Sequence, residues 1–176
     1  MVKFLFLLLC WLGTAAGTGS QEQEVKNSFK KFNQSYQAHK DHRKIPRSIL
    51  SEHLLFYIDL AQKKENQSIE NVKRSDSPTD KPDIIEGDVF SSLYEGFNEY
   101  KILSCTIKNN TARLKLELKN THFKPIIVWN DDCILIKEKG IWKVDNFIFG
   151  KKDNDGKKNT QNIFRSFMHF EHPPIK

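Results

Sequence analysis

The chain has 176 residues, 13 of them Phe, with a formal charge of +6 and a mean hydropathy of −0.58. That length suits one domain with a sizeable core. Its basic residues interleave with acids, as in Lys115-Leu116-Glu117 and Lys137-Glu138-Lys139, so no concentrated basic stripe points to nucleic acid.

Met1 to Gly17 reads as an export signal. Lys3 supplies a positive end, Phe4 to Leu12 is wholly apolar, and Thr14, Ala15, Ala16 and Gly17 are small residues suited to a signal peptidase. As helix the apolar run reaches about 13 Å, short of a hydrocarbon core of about 30 Å. A periplasmic or secreted protein is therefore expected, with no stable membrane span once the segment is removed. Cleavage takes away Lys3 and no acid, so the charge falls by one, from +6 to +5. What is left is a single domain over residues 20–172. Cys10 leaves with the signal, and Cys105 and Cys133 remain in an oxidising compartment. Either a disulfide joins them, or both are buried thiols. An intervening strand would hold their Cα atoms roughly 10 Å apart, beyond disulfide reach.

Ser20 to Lys40 is the first expected helix, with Val25, Phe29, Phe32 and Tyr36 on one stripe and Gln21, Glu22 and Glu24 near its start. After a charged loop, Asp41 to Ile45, Pro46 suits the first turn of a second helix. Ile49 or Leu50, Leu54, Ile58 and Ala61 form its stripe, broadened by Leu55 and Phe56. Lys63 to Pro82 reads as a long polar surface loop, with a short helical turn near Ile69 to Val72. Asp83 to Gly96 is a knot of turns whose apolar residues need burial.

The period then changes from helical to alternating. Leu103, Cys105 and Ile107 share one face, Asn109-Asn110 marks a turn, and Ala112, Leu114, Leu116 and Leu118 form the apolar face of the next strand. Pro125 to Lys139 is a further strand, with a bulge or break expected at Asn130-Asp131-Asp132. Lys139-Gly140 turns it into Ile141 to Phe149, where Trp142, Val144 and Ile148 are expected on one side. Thr160 to Phe170 closes the domain as a short helix carrying Ile163, Phe164, Phe167 and Phe170. Helices first and an antiparallel meander second define an α+β fold: an N-terminal helical pair packed on a curved sheet, with a short C-terminal helix.

Few residues suggest chemistry. His39 and His42 lie three apart with Asp41 between them, but no further ligand completes a metal site. Asp153-Asn154-Asp155-Gly156 resembles part of a calcium loop, yet Lys151 and Asn162 occupy positions that need acids. Asp131 and Asp132 are adjacent on a strand, so they point to opposite faces and cannot act as a facing pair. No nucleophile elbow, phosphate loop or cofactor motif is present. Three glycosylation sequons begin at Asn33, Asn66 and Asn109, meaningful in a eukaryotic secretory route and not in a bacterium.

The order of elements resembles the nuclear-transport-factor-2-like, or cystatin-like, cone, and more narrowly a family of exported bacterial proteins of unknown function. The likeness lies in Asp88-Val89-Phe90 followed by Glu95-Gly96, with Val89 where that family has Pro. It lies also in Gly140-Ile141-Trp142-Lys143-Val144-Asp145-Asn146-Phe147, which resembles the terminal strand of such cones. The resemblance implies a bent sheet, with Trp142 filling the concave side and Lys143 and Asp145 facing out. It implies no reaction. Cones of this kind pair through the sheet, so a homodimer is compatible with it.

A non-catalytic exported binding or interaction protein is the expectation. Its concave face would take a small apolar ligand, or its outer sheet would engage another envelope or secreted protein. Trp129 and Trp142 are the expected pocket anchors, with Phe123, Phe147 and Phe149 as walls. The alternatives are an immunity or inhibitor protein against a secreted toxin or hydrolase, and a small cone-type enzyme with a buried carboxylate or His as base.

Overall fold

A computed structural model describes residues 17–150 and 158–169; residues 1–16 of the expected export signal, the Asp153–Gly156 motif and Phe170 lie outside the described residues. Helix α1 is Gly17–His39 and α2 is Glu52–Arg74. Between them lie two 3-10 turns, His42–Lys44 and Arg47–Ile49. Four strands follow: β1 Glu99–Lys108, β2 Thr111–Asn120, β3 Ile127–Glu138 and β4 Ile141–Phe149. Helix α3, Thr160–His169, closes the fold. The strands form one antiparallel meander in the order β1-β2-β3-β4. The fold is α+β, as the pattern of elements predicts.

The stripe on α1 is the centre of the core. Val25, Phe29 and Phe32 are fully buried, and Tyr36 is 1 % exposed. The ring of Phe29 lies 5.0 Å from Tyr100 on β1 and 6.4 Å from Phe147 on β4. In a flat sheet those edge strands would be about 14 Å apart, at roughly 4.8 Å per strand. One ring touches both because the sheet curls around α1. Two bulges assist the curl, one between Ile102 and Ser104 on β1 and one in the β3–β4 pairing at Ile134/Leu135.

These bulges correct several expectations. Leu103 is the extra residue of the first, so it is 42 % exposed, and Tyr100, Ile102, Cys105 and Ile107 pack against the core instead. No break occurs at Asn130-Asp131-Asp132, because β3 stays in register with β2 through that stretch and Asp131 and Asp132 also pair with β4. The irregularity sits further on, where Leu135 pairs Val144 and Ile134 pairs Asn146, leaving Asp145 as the extra residue. Alternation on β4 therefore changes phase after Val144. Phe147 and Phe149 join Trp142 and Val144 in the core, and Ile148 does not.

Helix α2 also departs from expectation at both ends. Pro46 precedes a 3-10 turn rather than opening the helix, and Ser51 is the cap, its hydroxyl accepting from the Leu54 N–H at 2.9 Å. The helix then continues through the expected loop to Arg74. Its second half is rich in Lys, Glu and Gln, good helix formers that carry no apolar period. Its inward position there is Glu65, 2 % exposed. Glu65 accepts from the Ile85 N–H at 2.8 Å, and the Arg43 guanidinium stands 3.8 Å away.

Two left-handed residues make the β3–β4 hairpin tight: Lys139 has φ 51° and Gly140 φ 84°. Gly96, at φ 71°, is needed for a different reason. A Cβ there would collide with the Asp88 carboxylate and the Tyr36 hydroxyl.

Candidate functional site

The curl is filled by the protein's own aromatic rings. Phe147 is fully buried, 5.5 Å from Phe32 and 5.6 Å from Phe90. Tyr36 stacks on Phe97 at 4.8 Å. Among the expected pocket residues, Trp129 and Phe149 are likewise buried parts of this core, and Phe123 is half-buried on the loop after β2. Trp142 is 3 % exposed and floors a shallow hollow of about 250 Å³ beside Glu24, Asn27 and Ser28 of α1. The Lys137 ammonium lies 5.4 Å above its ring.

Three aspartates hold separate polar centres. Asp131, 2 % exposed, accepts from the Ser92 N–H (2.8 Å), the Ser92 hydroxyl (2.7 Å), the Trp129 indole (3.0 Å) and the Gly150 N–H (2.8 Å). It ties the turn segment and the end of β4 to β3. The bulged Asp145 accepts from the Ser51 hydroxyl at 2.6 Å and from Gln161 at 3.1 Å, and its Oδ1 lies 3.5 Å from His53 Nδ1. It is thus bound at the sheet edge and not simply turned outward, as the family likeness implies. Ser51 is fully buried, and its hydroxyl joins the start of α2 to the sheet edge by donating to Asp145 and accepting from the Leu54 N–H.

Asp88 is half-buried, and its carboxyl accepts from the buried Tyr36 hydroxyl and from the Phe90 N–H at 2.6 Å. Burial of that carboxyl raises its pKa from 3.8 to about 6, against the pull of these hydrogen bonds. Burial also pushes the Tyr36 hydroxyl far up. His42, packed edge-on to Phe164 at 5.3 Å, goes the other way: burial lowers it to about 4. Sequence patterning marks none of Ser92, Glu65 or Gln161, because each acts through a distant partner.

Cys105 and Cys133 are free thiols, so of the two alternatives the disulfide is the one the structure does not form. Leu114 of β2 pairs with Cys105 on one side and Cys133 on the other, so one strand separates them. Burial raises both thiols, Cys133 the more strongly.

The opposite face of the sheet is different. Successive cross-strand rows there read Lys101–Glu117–Asn130, Ser104–Lys115–Asp132–Ile148 and Thr106–Arg113–Ile134–Asn146. Cations and hydroxyls lie mainly on β1 and β2, Lys143 of β4 being paired to Glu138 at 3.1 Å; Val128, Ile134, Ile136 and Ile148 lie on β3 and β4. Leu103 is 42 %, Val128 48 % and nearby Ile126 55 % exposed. Arg113 pairs with Asp132 at 2.6 Å, and Ser104, Thr106, Arg113, Lys115 and Asp132 border a hollow of about 240 Å³.

No family model, curated protein or solved structure matches the chain. Among the described residues, no cluster of three or more His, Cys, Asp or Glu side chains is placed to hold a metal ion. Nor is any described helix long and apolar enough to cross a membrane.

Proposed function

We propose that this chain is an exported, non-catalytic binding protein that engages another exported protein through the outer face of its sheet. The observation that carries this reading is the contrast between the two faces. The concave side is packed with rings, while the outer side presents Leu103, Val128 and Ile126 to solvent beside a hollow edged by polar groups. Exposed aliphatics set among charged groups are the composition of a partner-binding patch. The small-apolar-ligand alternative loses ground, since Phe147, one of its expected walls, is packed against Phe29, Phe32 and Phe90. Export is supported by the Met1–Gly17 pattern.

The test is site-specific photo-crosslinking in the producing cell, with the reactive group placed at Val128 or, as a control, at Lys31 on the exposed side of α1. A discrete adduct from Val128 and none from Lys31 is expected. No adduct at Val128, or equal adducts from both positions, would overturn the reading.

A further inference from the structure

We infer that the partner surface is acidic around an apolar ridge, an inference that rests on the outer face being the contact surface. On this face Lys101, Lys108 and Lys115 make no ion pair within 4 Å among the described residues. The carboxylates near them are committed: Asp132 to Arg113 at 2.6 Å, and Glu117 to Lys119 at 3.8 Å. Glu99 stands against them at the far end of β1. The uncommitted charge is therefore positive and confined to β1 and β2. Val128, Ile134, Ile136 and Ile148 occupy β3 and β4, while Leu103 stands alone at the β1 bulge. A complementary surface needs carboxylates alongside an apolar strip, in that order across the strands.

A second copy of the chain meets this face badly. A two-fold axis along the strands would set the lysines of one copy on the isoleucines of the other. An axis across the strands would set lysine against lysine. Both arrangements desolvate cations without a counter-charge. Nucleic acid would satisfy the lysines and leave the aliphatic half uncovered. An exported protein that presents Asp and Glu beside aliphatic side chains satisfies both halves.

The experiment uses the full chain and three probes. One is an amphipathic helical peptide with a leucine stripe bordered by glutamates. The second is the same peptide with lysines in place of the glutamates. The third is a single-stranded oligonucleotide. Binding is followed by calorimetry and by NMR shifts of the protein. The glutamate peptide is expected to bind, to move the resonances of Lys101, Lys115, Val128 and Ile134, and to weaken roughly tenfold in a K101E/K115E variant. Tighter or equal binding of the lysine peptide or the oligonucleotide would overturn the inference, as would the absence of any binding. A V128S variant separates this inference from the reading beneath it. Binding lost with V128S but unchanged in K101E/K115E overturns the acidic chemistry and leaves the face as a contact surface. Binding unchanged in both variants overturns the two together.

Discussion

Asp131 and Asp132 are chain neighbours on one strand, and they occupy different solvents. Asp131 points into the protein and is enclosed by four donors. Asp132 points out and meets one arginine that is itself 58 % exposed. The same division runs along the whole sheet. Inward residues are leucines, tryptophans and phenylalanines packed on α1, while outward ones are lysines, hydroxyls and separate aliphatics. A strand with period two carries two independent surfaces, so residue type says little until side-chain direction is known.

Substitutions of increasing subtlety sharpen that contrast. The largest effect is expected from Phe147→Ala, which empties a fully buried ring site and is expected to cost about 4 kcal/mol in denaturant unfolding. Val128→Ala on the outer face is expected to stay within about 0.5 kcal/mol. Equal losses at the two positions would break the distinction between the faces. Next, Asp131→Ala strands several buried donors and is expected to cost about 3 kcal/mol, against at most about 1 kcal/mol for Asp132→Ala.

His42 and Asp88 give opposite pH dependences, each on the order of 3 kcal/mol at about 1.36 kcal/mol per pKa unit. His42 falls from 6.5 to about 4 in the folded protein. Its contribution is present above pH 6.5 and is lost as the pH falls towards 4, because the unfolded chain binds the proton more readily. Asp88 rises from 3.8 to about 6. Its contribution is present below pH 3.8 and is lost as the pH rises through 6, because the folded protein holds the proton more tightly. Denaturation midpoints measured from pH 4 to 7 should show the first dependence vanish in His42→Phe and the second in Asp88→Asn. A variant curve parallel to that of the parent would refute the corresponding assignment.

The smallest effect concerns the thiols. A reducing agent is expected to leave the unfolding midpoint unchanged. Iodoacetamide should label half-exposed Cys105 in the native protein and reach Cys133 only on unfolding.

Much of the fold is legible in residue order. Val25, Phe29, Phe32 and Tyr36 mark α1, and Ala112, Leu114, Leu116 and Leu118 mark β2, because burial on one face imposes its own period. The Lys139-Gly140 turn is legible too, since both residues must take positive φ. Less visible is the second half of α2, where a buried Glu65 takes the place of an apolar residue and breaks the pattern. The phase changes at Leu103 and Asp145 are equally hidden, because a bulge alters side-chain direction without altering composition.

For the candidate site the balance is reversed. Trp129, Trp142, Phe147 and Phe149 stand out in the sequence as large apolar rings, but their type is the same in a ligand pocket and in a packed core. Their use was decided when the sheet curled far enough for α1 to fill it. By itself the sequence determined the α+β class and the alternation of β2, which follow from local periodicity, and the meander, which follows from the short turns between strands. Tertiary structure alone decided which carboxylates are consumed, which thiols are kept apart and which lysines are left without counter-charges among the described residues. Those outcomes depend on distances between residues far apart in the chain, and no local pattern encodes them.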